Sequence, residues 1–301
     1  MIPGSCLRVC LVLTVCGAVS AAGQTAPDVT SSDGRLTGGL SLDVYAAPYL
    51  GTGGFESLLV GTEIRGLTAT AASEGSGARR LQIVYSSAPG SASIPEHSVT
   101  VPLGDPAQGA APDGVVRVLA RLALPPGRFR VLVTVRDSQD NRTGSVVHDV
   151  DVPPFAAQLD AIAISGVMLT SSGVTGFTHA DLQEEYRLQP ILLQPPAARR
   201  RFSRSEKVEV LAEVYERDPE TDLGGQMTIV TRVVDAAGEM VFDSSDIGAS
   251  ELFSDGRWGY QHWQLVPVRD FAPGDYELQI GAYSSDGSSS AWRSIPITVV
   301  P

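Results

Sequence analysis

The sequence predicts an all-β fold made of two tandem antiparallel β-sandwiches of the immunoglobulin or fibronectin kind. The first observation is a motif that occurs twice, at residues 125–153 and 272–301. Each copy reads as a Pro-Gly turn, an alternating strand, a polar hairpin loop and a second alternating strand that closes on Val-Pro. The second observation is that the intervening segments alternate apolar and polar residues between turn signals, without helical periodicity.

The two copies of the motif align residue by residue at their turns. Pro126-Gly127-Arg128-Phe129 matches Pro273-Gly274-Asp275-Tyr276. Upstream, Leu58 and Val60 match Val208 and Val210 in pattern, and the matched positions stay 147 to 150 residues apart. Alternation of this kind predicts strands with one face toward a core. Duplication of one domain explains the constant spacing, and convergence on a common sandwich pattern is the alternative.

The chain divides into five predicted segments. Residues 1–21 form a signal peptide, because Arg8 precedes an apolar run that ends in small residues. Residues 22–37 are small and polar, which is typical of a flexible leader. The last three segments are sandwich domain 1 at 38–153, a proline-containing connector at 154–201 and sandwich domain 2 at 202–301. Within the connector, the apolar segment 161–169 is expected to form an edge strand on domain 2.

A signal peptide predicts an exported protein, located in the periplasm, outside the cell or at the cell surface. The three cysteines, Cys6, Cys10 and Cys16, all lie in the signal, so the mature chain is expected to have neither disulfides nor thiolate metal ligands. Lipidation of Cys16 remains an alternative, because the residues before it loosely match a lipoprotein box. No later apolar run is long enough to predict a transmembrane segment.

The net charge of −12 argues against nucleic acid as a partner. One basic cluster stands out against this background, Arg199-Arg200-Arg201 together with Arg204. We expect it to be a solvated loop, and contact with an acidic partner is the alternative.

Several segments resemble a known family. The similarity is to the region C-terminal to the A domain in bacterial von Willebrand factor A-related secreted proteins. It is found in Leu124 to Phe129, Val133 to Asp137, Arg142 to Val146 and Ala198 to Phe202. The A domain with its metal-coordinating loop is absent from this chain. The resemblance therefore implies sandwich modules of a secreted protein and carries over no metal-binding residue.

No catalytic signature or cofactor site is predicted, because the four histidines show no ligand spacing and serine occurs in no nucleophile elbow. Asp137, Asp140 and Asn141 lie in the first hairpin loop and are weak calcium candidates, although a solvated turn explains them equally well. Trp258, Tyr260 and Trp263 form the densest aromatic cluster. In a strand, Trp258 and Tyr260 share one face and Trp263 takes the other, so one of these faces is a candidate interaction surface.

We therefore expect a secreted, non-enzymatic protein that acts as an interaction or structural module for a protein or cell-surface partner. The first alternative is a carbohydrate-binding module that uses the aromatic residues of 258–263 to bind a glycan. The second is a hydrolase whose site is assembled from loops.

Overall fold

The structure, a computed structural model, describes residues 39–51, 56–67, 79–103, 115–155, 162–172, 177–181, 196–215, 226–249, 251–252, 258–284, 287 and 289–301. The predicted signal at 1–21, with Cys16, and the predicted leader at 22–37 lie outside the described residues.

Strands and one short 3-10 helix make up the regular structure of these residues. The first seven strands are β1 (Ser41–Leu50), β2 (Glu56–Arg65), β3 (Arg80–Ser87), β4 (His97–Pro102), β5 (Val116–Ala123), β6 (Gly127–Asp137) and β7 (Thr143–Val152). The next five are β8 (Ala163–Ile164), β9 (Met168–Ser171), β10 (Phe177–Asp181), β11 (Arg201–Ser203) and β12 (Val208–Tyr215). The last six are β13 (Gln226–Asp235), β14 (Met240–Ala249), β15 (Glu251–Leu252), β16 (Trp258–Val266), β17 (Gly274–Ser284) and β18 (Ser290–Val300), with the 3-10 helix at Val268–Asp270.

The strands form four sheets, which confirms the predicted all-β sandwich class. Sandwich 1 has an outer sheet of order β4-β3-β6-β7 and an inner sheet of order β1-β2-β5-β10. Sandwich 2 has an outer sheet of order β11-β18-β17-β13-β14 and an inner sheet of order β15-β16-β12-β8, in which β9 also pairs with β12. Pairing is antiparallel except for β10 with β5 and β11 with β18.

The two sandwiches share their order of pairing. The predicted closing hairpins are β6–β7 and β17–β18, in which Gly127 pairs with Val152 and Gly274 pairs with Val299. In both outer sheets the first strand of the hairpin also pairs, on its other side, with a strand from earlier in the chain. This strand is β3 beside β6 in sandwich 1 and β13 beside β17 in sandwich 2. The residues matched in the sequence therefore occupy corresponding places in the two sheets.

Each sandwich encloses its own apolar core. The core of sandwich 1 takes the alternate apolar residues of β1 to β7. Thr62 is buried among them, and its hydroxyl oxygen lies 3.3 Å from that of Tyr85. The core of sandwich 2 is built in the same way from β12, β13, β17 and β18. Burial of these aliphatic side chains supplies the main stabilising free energy, at about 25 cal/mol per Å² of apolar surface.

The segment 154–201 is more than the predicted connector. Strands β8 and β9 pair with β12, so the expected edge strand near 161–169 is confirmed. The chain then returns to sandwich 1, where β10 pairs with β5 over residues 177–181, before β11 rejoins sandwich 2 at 201–203. Strands β10 and β11 are thus additional to the edge strand that the sequence predicts within this connector, and backbone pairing in both sandwiches uses the segment.

The two inner sheets pack against each other through the faces that point away from their own cores. A third buried cluster spans both sandwiches and contains Tyr45, Ala47, Tyr49, Leu59, Leu119, Met168, Ala198 and Leu211. We call this contact between the inner sheets the junction. Strands β1, β2, β5 and β12 are consequently buried on both faces. Within the described residues, no helix has the length and apolar character that crossing a bilayer requires.

Candidate functional site

The predicted aromatic cluster lies on β16, and its members differ in their surroundings. Trp263 is 57% exposed and Leu265, two residues further on the same face, is 48% exposed. Tyr260 points to the opposite face, where its ring packs against the core of sandwich 2 and its hydroxyl donates to Asp246 Oδ2 at 2.7 Å. The side chain of Trp258 lies outside the described residues. Tyr260 and Trp263 thus point to opposite faces as predicted, and of these two Trp263 is the exposed one.

The position of β16 at the margin of the junction explains why Trp263 is exposed. Trp263 pairs with Leu211 and Leu265 pairs with Glu209, so these residues occupy one face of the inner sheet. On β12 that face is covered by sandwich 1, and Leu211 is buried in the junction. On β16, one strand further out, the same face is exposed. Trp263 and Leu265 therefore form an apolar strip that emerges from the edge of the junction.

The calcium candidates in the β6–β7 loop are held by arginines. Asp137 Oδ1 accepts a hydrogen bond from Arg79 Nε at 3.2 Å, and its other carboxylate oxygen is paired with the same guanidinium. Asp140 accepts from Arg142 Nη2 at 2.9 Å. Asn141 Oδ1 accepts from Arg136 Nη2 at 2.7 Å. A cation at this loop would have to displace these guanidinium groups, so the geometry is that of an ion-pair cluster.

The pKa of Asp137 reflects this cluster. Burial alone would raise the pKa of the carboxyl, but the hydrogen bonds from Arg79 and from the backbone of Gln139 lower it below its ordinary value. Across the part of the chain that the structure describes, no group of three or more His, Cys, Asp or Glu is placed to hold a metal ion.

Close backbone contact fixes one side of the junction. The amide of Gly166 donates to the carbonyl of Pro48 at 2.6 Å, and a Cβ atom at Gly166 would come within 2.7 Å of Ala47 Cα. The Tyr45 hydroxyl donates to the carbonyl of Val167. Only glycine allows the two inner sheets to approach this closely at residue 166.

Buried charges fix another side of the junction. Arg117 and Glu63 are both fully buried, and Arg117 Nε lies 3.6 Å from Glu63 Oε2. The guanidinium of Arg117 also donates across the junction to the carbonyl of Ser171 at 3.1 Å. Arg199, from sandwich 2, places Nε 3.6 Å from Glu63 Oε1 and donates to Glu206 Oε1 at 3.0 Å. Carboxylates and guanidinium groups thus alternate across the boundary between the sandwiches.

A buried tyrosine contributes a further polar contact between the sandwiches. The backbone N–H of Leu50 donates to the Tyr215 hydroxyl oxygen at 2.9 Å, and that hydroxyl donates to Glu213 Oε2 at 2.8 Å. Burial, reinforced by the charge of Glu213, raises the pKa of Tyr215 well above its ordinary value. The phenol is therefore a permanent donor at physiological pH.

The basic cluster is not the solvated loop that the sequence indicates. Arg200 is buried, and its Cζ lies 3.5 Å from the centre of the Tyr45 ring, which is a cation–π contact. Arg199 belongs to the ion network described above. Of the three consecutive arginines, Arg201 is the exposed one. The cluster is thus mainly part of the junction.

Two of the four histidines, His148 and His262, are buried. His262 Nε2 lies 2.7 Å from Thr231 Oγ1 between the sheets of sandwich 2. Burial lowers the pKa of His262 to about 4, and burial together with the nearby charge of Arg200 lowers the pKa of His148 to about 4. Both imidazoles are therefore neutral near pH 7.

Sequence reasoning missed a second aromatic group, on the outer sheet of sandwich 2. The indole of Trp292 lies across Gly281, where a Cβ atom would come within 2.7 Å of the ring. Tyr283 packs edge-on against Trp292 with 5.7 Å between ring centres, and the guanidinium of Arg232 is 5.3 Å from the indole centre. Gln279 pairs with Arg232 on the same face. The pairing of a glycine with a tryptophan on neighbouring strands is the signal that could have revealed it.

A shallow groove of about 410 Å³ in sandwich 1 is relevant to the hydrolase alternative. Its lining includes Glu96, His97 and Arg121. The ring of His97 packs against Tyr85 with 6.1 Å between centres, and Arg121 Nε donates to Ser57 Oγ at 2.9 Å. Arg121 is thus bound to a buried serine hydroxyl, and the residues of this groove give no specific support to the hydrolase alternative.

Comparison with known proteins adds little to this description. No protein-family model matches the chain, and no curated protein is significantly similar to it. A solved structure described as "Biofilm associated protein - BSP domain" is similar at 11% identity and a TM-score of 0.22. The alignment covers 91% of this chain and 53% of that one, so the chain spans about half the length of that protein. A likeness at this TM-score carries no argument about function, and the similarity to von Willebrand factor A-related proteins stays a prediction from the sequence.

Proposed function

We propose that the protein is an exported, non-enzymatic interaction protein whose second sandwich binds a protein partner on the strip formed by Trp263 and Leu265. The observation that carries the proposal is the exposure of these two large apolar side chains next to each other at the margin of the junction. Exposed apolar groups of this size, beside a rigid polar contact, are typical of protein-binding surfaces.

The neighbour of Trp263 favours a protein over a sugar as its ligand. A sugar site needs polar side chains next to the aromatic ring, because each hydroxyl of the sugar must keep a hydrogen-bond partner. Here Leu265 stands beside the indole. The carboxylates on the neighbouring strand are buried, and Glu209 accepts a hydrogen bond from Thr170 at 3.3 Å. An apolar partner side chain packed against Trp263 and Leu265 meets no unsatisfied polar group.

Capture from the native cell envelope tests this proposal. The immobilised chain is compared with Trp263→Ala and Leu265→Ser, and Val147→Ser serves as the matched control because Val147 is an exposed apolar residue of sandwich 1. We expect one protein to be enriched by the unmodified chain and by Val147→Ser and to be lost with both strip variants, while circular dichroism stays unchanged. Capture of the same proteins by all four chains would contradict the proposal.

Carbohydrate binding is a second candidate, and a different site favours it. Trp292 lies flat on the outer sheet with Tyr283, Arg232 and Gln279 around it, so one aromatic face has hydrogen-bonding side chains beside it. The C–H groups of a sugar ring are attracted by the negative face of an indole. On a glycan array, binding lost with Trp292→Ala and retained with Trp263→Ala supports this candidate, and no binding by the unmodified chain removes it.

A further inference from the structure

Strand β14 is an unusually open sheet edge. It is the outermost strand of the outer sheet of sandwich 2, runs for 10 residues and contains no proline. Its backbone pairs with β13, and no described segment pairs with its other side. Ile247, at 69%, is the most exposed large apolar side chain among the described residues. Long edges with exposed apolar residues are templates for pairing with another chain.

The other described edges are short or covered. Strand β11, at the far end of the same sheet, has three residues, and β15 has two. The edge strand β1 contains Pro48, and the amide of Gly166 donates to the carbonyl of that proline. Strand β7 packs beside β1, where Leu40 N donates to the carbonyl of Thr143. Strand β4 ends at Pro102. Strands β8 and β10, which end the two inner sheets, have two and five residues. Short length, proline and cover by another segment normally prevent association between edges. Strand β14 lacks these three devices among the described residues and carries two aspartates, Asp243 and Asp246.

We infer that two copies of this chain pair antiparallel through β14, which would join their outer sheets into one continuous sheet of ten strands. This inference does not depend on the proposed function, because Trp263 and Leu265 lie on the inner sheet. A twofold axis perpendicular to the sheet makes such a contact closed and self-complementary.

The residue pattern of β14 selects one register. Val241, Asp243, Ser245 and Ile247 share the outer face, and a twofold axis of this kind places outer-face residues opposite outer-face residues. With the axis at Ser244, Val241 stands opposite Ile247 of the second copy and Asp243 stands opposite Ser245. Both exposed apolar side chains then gain an apolar neighbour.

The neighbouring registers are less favourable. An axis at Asp243 would place two aspartates directly opposite each other, which is destabilising. An axis at Ser245 would place the charge of Asp243 opposite Ile247 and Val241 opposite Ala249, so the two exposed apolar side chains would not meet. The axis at Ser244 places Asp246 opposite Phe242, and there the Tyr260 hydroxyl donates to Asp246 Oδ2 at 2.7 Å. In the register centred on Ser244, Asp243 also keeps its ion pair with Arg232 on β13, where Arg232 Nε lies 3.3 Å from Asp243 Oδ1.

Self-association of the full chain, measured by sedimentation across a concentration series, tests this inference. We expect a dimer for the unmodified chain and at least about tenfold weaker self-association for Ile247→Lys, because the lysine charge is desolvated opposite Val241. Val147→Lys places the same charge on an edge strand of sandwich 1 and should leave the dimer unchanged. A monomer throughout the series, or a dimer that is insensitive to Ile247→Lys, would overturn the inference.

Cysteine cross-linking tests the register in the full chain with Cys6, Cys10 and Cys16 changed to serine. Ser244→Cys brings two thiols together at the axis and should give a disulfide-linked dimer on mild oxidation. Ser245→Cys is the matched control, because it faces Asp243 of the second copy and should cross-link far more slowly. Faster cross-linking through position 245 would overturn the register. The unmodified chain could instead be monomeric and capture a different protein, and Ile247→Lys could abolish that capture. This result would overturn the dimer and assign the β14 edge to that protein.

Discussion

The cores inside the sandwiches and the junction between them are buried to a similar degree, but different chemistry holds them. The cores are lined mainly by aliphatic and aromatic side chains and, among the described residues, enclose only a few polar groups, such as the paired Thr231 and His262. The junction adds tyrosine hydroxyls, a glycine contact and the buried charges of Arg117 and Glu63 to its apolar cluster. The hydrophobic effect is non-directional, so it stabilises the cores without fixing one sandwich relative to the other. The directional bonds of the junction fix that orientation.

Removal of a buried charge from the junction should give the largest loss of stability. Arg117→Met removes one of the three guanidinium groups around the buried carboxylate of Glu63, together with the hydrogen bond to Ser171. Because Arg65 and Arg199 still compensate part of the charge, we expect the free energy of unfolding to fall by about 3 kcal/mol, the lower end for a broken buried ion pair. Urea titration measures the change. The matched control is Arg128→Met, which breaks an exposed pair with Asp151 and should change stability little. Equal effects of the two changes would refute a structural role for the buried network.

Acid should weaken the cores through their histidines. His262 has a pKa of about 4 in the folded chain and about 6.5 when unfolded. Because the unfolded chain binds the proton more tightly, stability is full above pH 6.5 and falls as the pH drops toward 4, by about 3 kcal/mol for this group. Urea titrations at pH 7 and pH 4.5 measure the loss, and His262→Gln should reduce it. An unchanged pH dependence in the variant would exclude His262 as a source.

A methyl group at the closest approach of the inner sheets should test how tightly the junction is packed. Gly166→Ala places Cβ within 2.7 Å of Ala47 Cα, so we expect a loss of about 1–3 kcal/mol from overpacking. Gly61→Ala is the matched control, because its nearest neighbour is the Tyr45 carbonyl oxygen at 3.8 Å. Thermal denaturation of both variants gives the comparison. If Gly166→Ala were as stable as Gly61→Ala, the sheets would be further apart than described.

Loss of a single hydroxyl should give the smallest measurable effect. Tyr45→Phe removes the hydrogen bond to the Val167 carbonyl and keeps an aromatic ring beneath Arg200. We expect a loss of about 1 kcal/mol, which is the usual contribution of one buried hydrogen bond. Chemical denaturation of Tyr45→Phe beside the unmodified chain measures it, and a gain in stability would contradict the contact.

The sequence predicts the sandwiches well because each hairpin is a local pattern. Alternation after Gly127 and Gly274 determines which side chains enter a core, and the paired strands are the predicted ones. The junction is harder to predict, because alternation indicates that Glu63 and Arg117 face solvent. A signal was present in the consecutive apolar residues of the inner strands, such as Val118-Leu119-Ala120, which indicate burial on both faces. Which two sheets meet depends on contacts between distant residues, and a single sequence does not record these.

The candidate site shows the same limit. The period of a strand predicts that Tyr260 and Trp263 point to opposite faces, and they do. Which face is exposed depends on how far sandwich 1 extends over the inner sheet of sandwich 2. The covering residues Tyr45 and Leu119 come from strands far away in the sequence.

The most direct test of the account is whether the two sandwiches unfold as one unit. All three tryptophans, Trp258, Trp263 and Trp292, belong to sandwich 2, so their fluorescence reports its unfolding, whereas far-ultraviolet circular dichroism reports both sandwiches. In one urea titration we expect the two signals to give the same midpoint and slope, because the junction couples the sandwiches. A circular dichroism transition that separates from the fluorescence transition would show that the sandwiches unfold independently and would contradict the account.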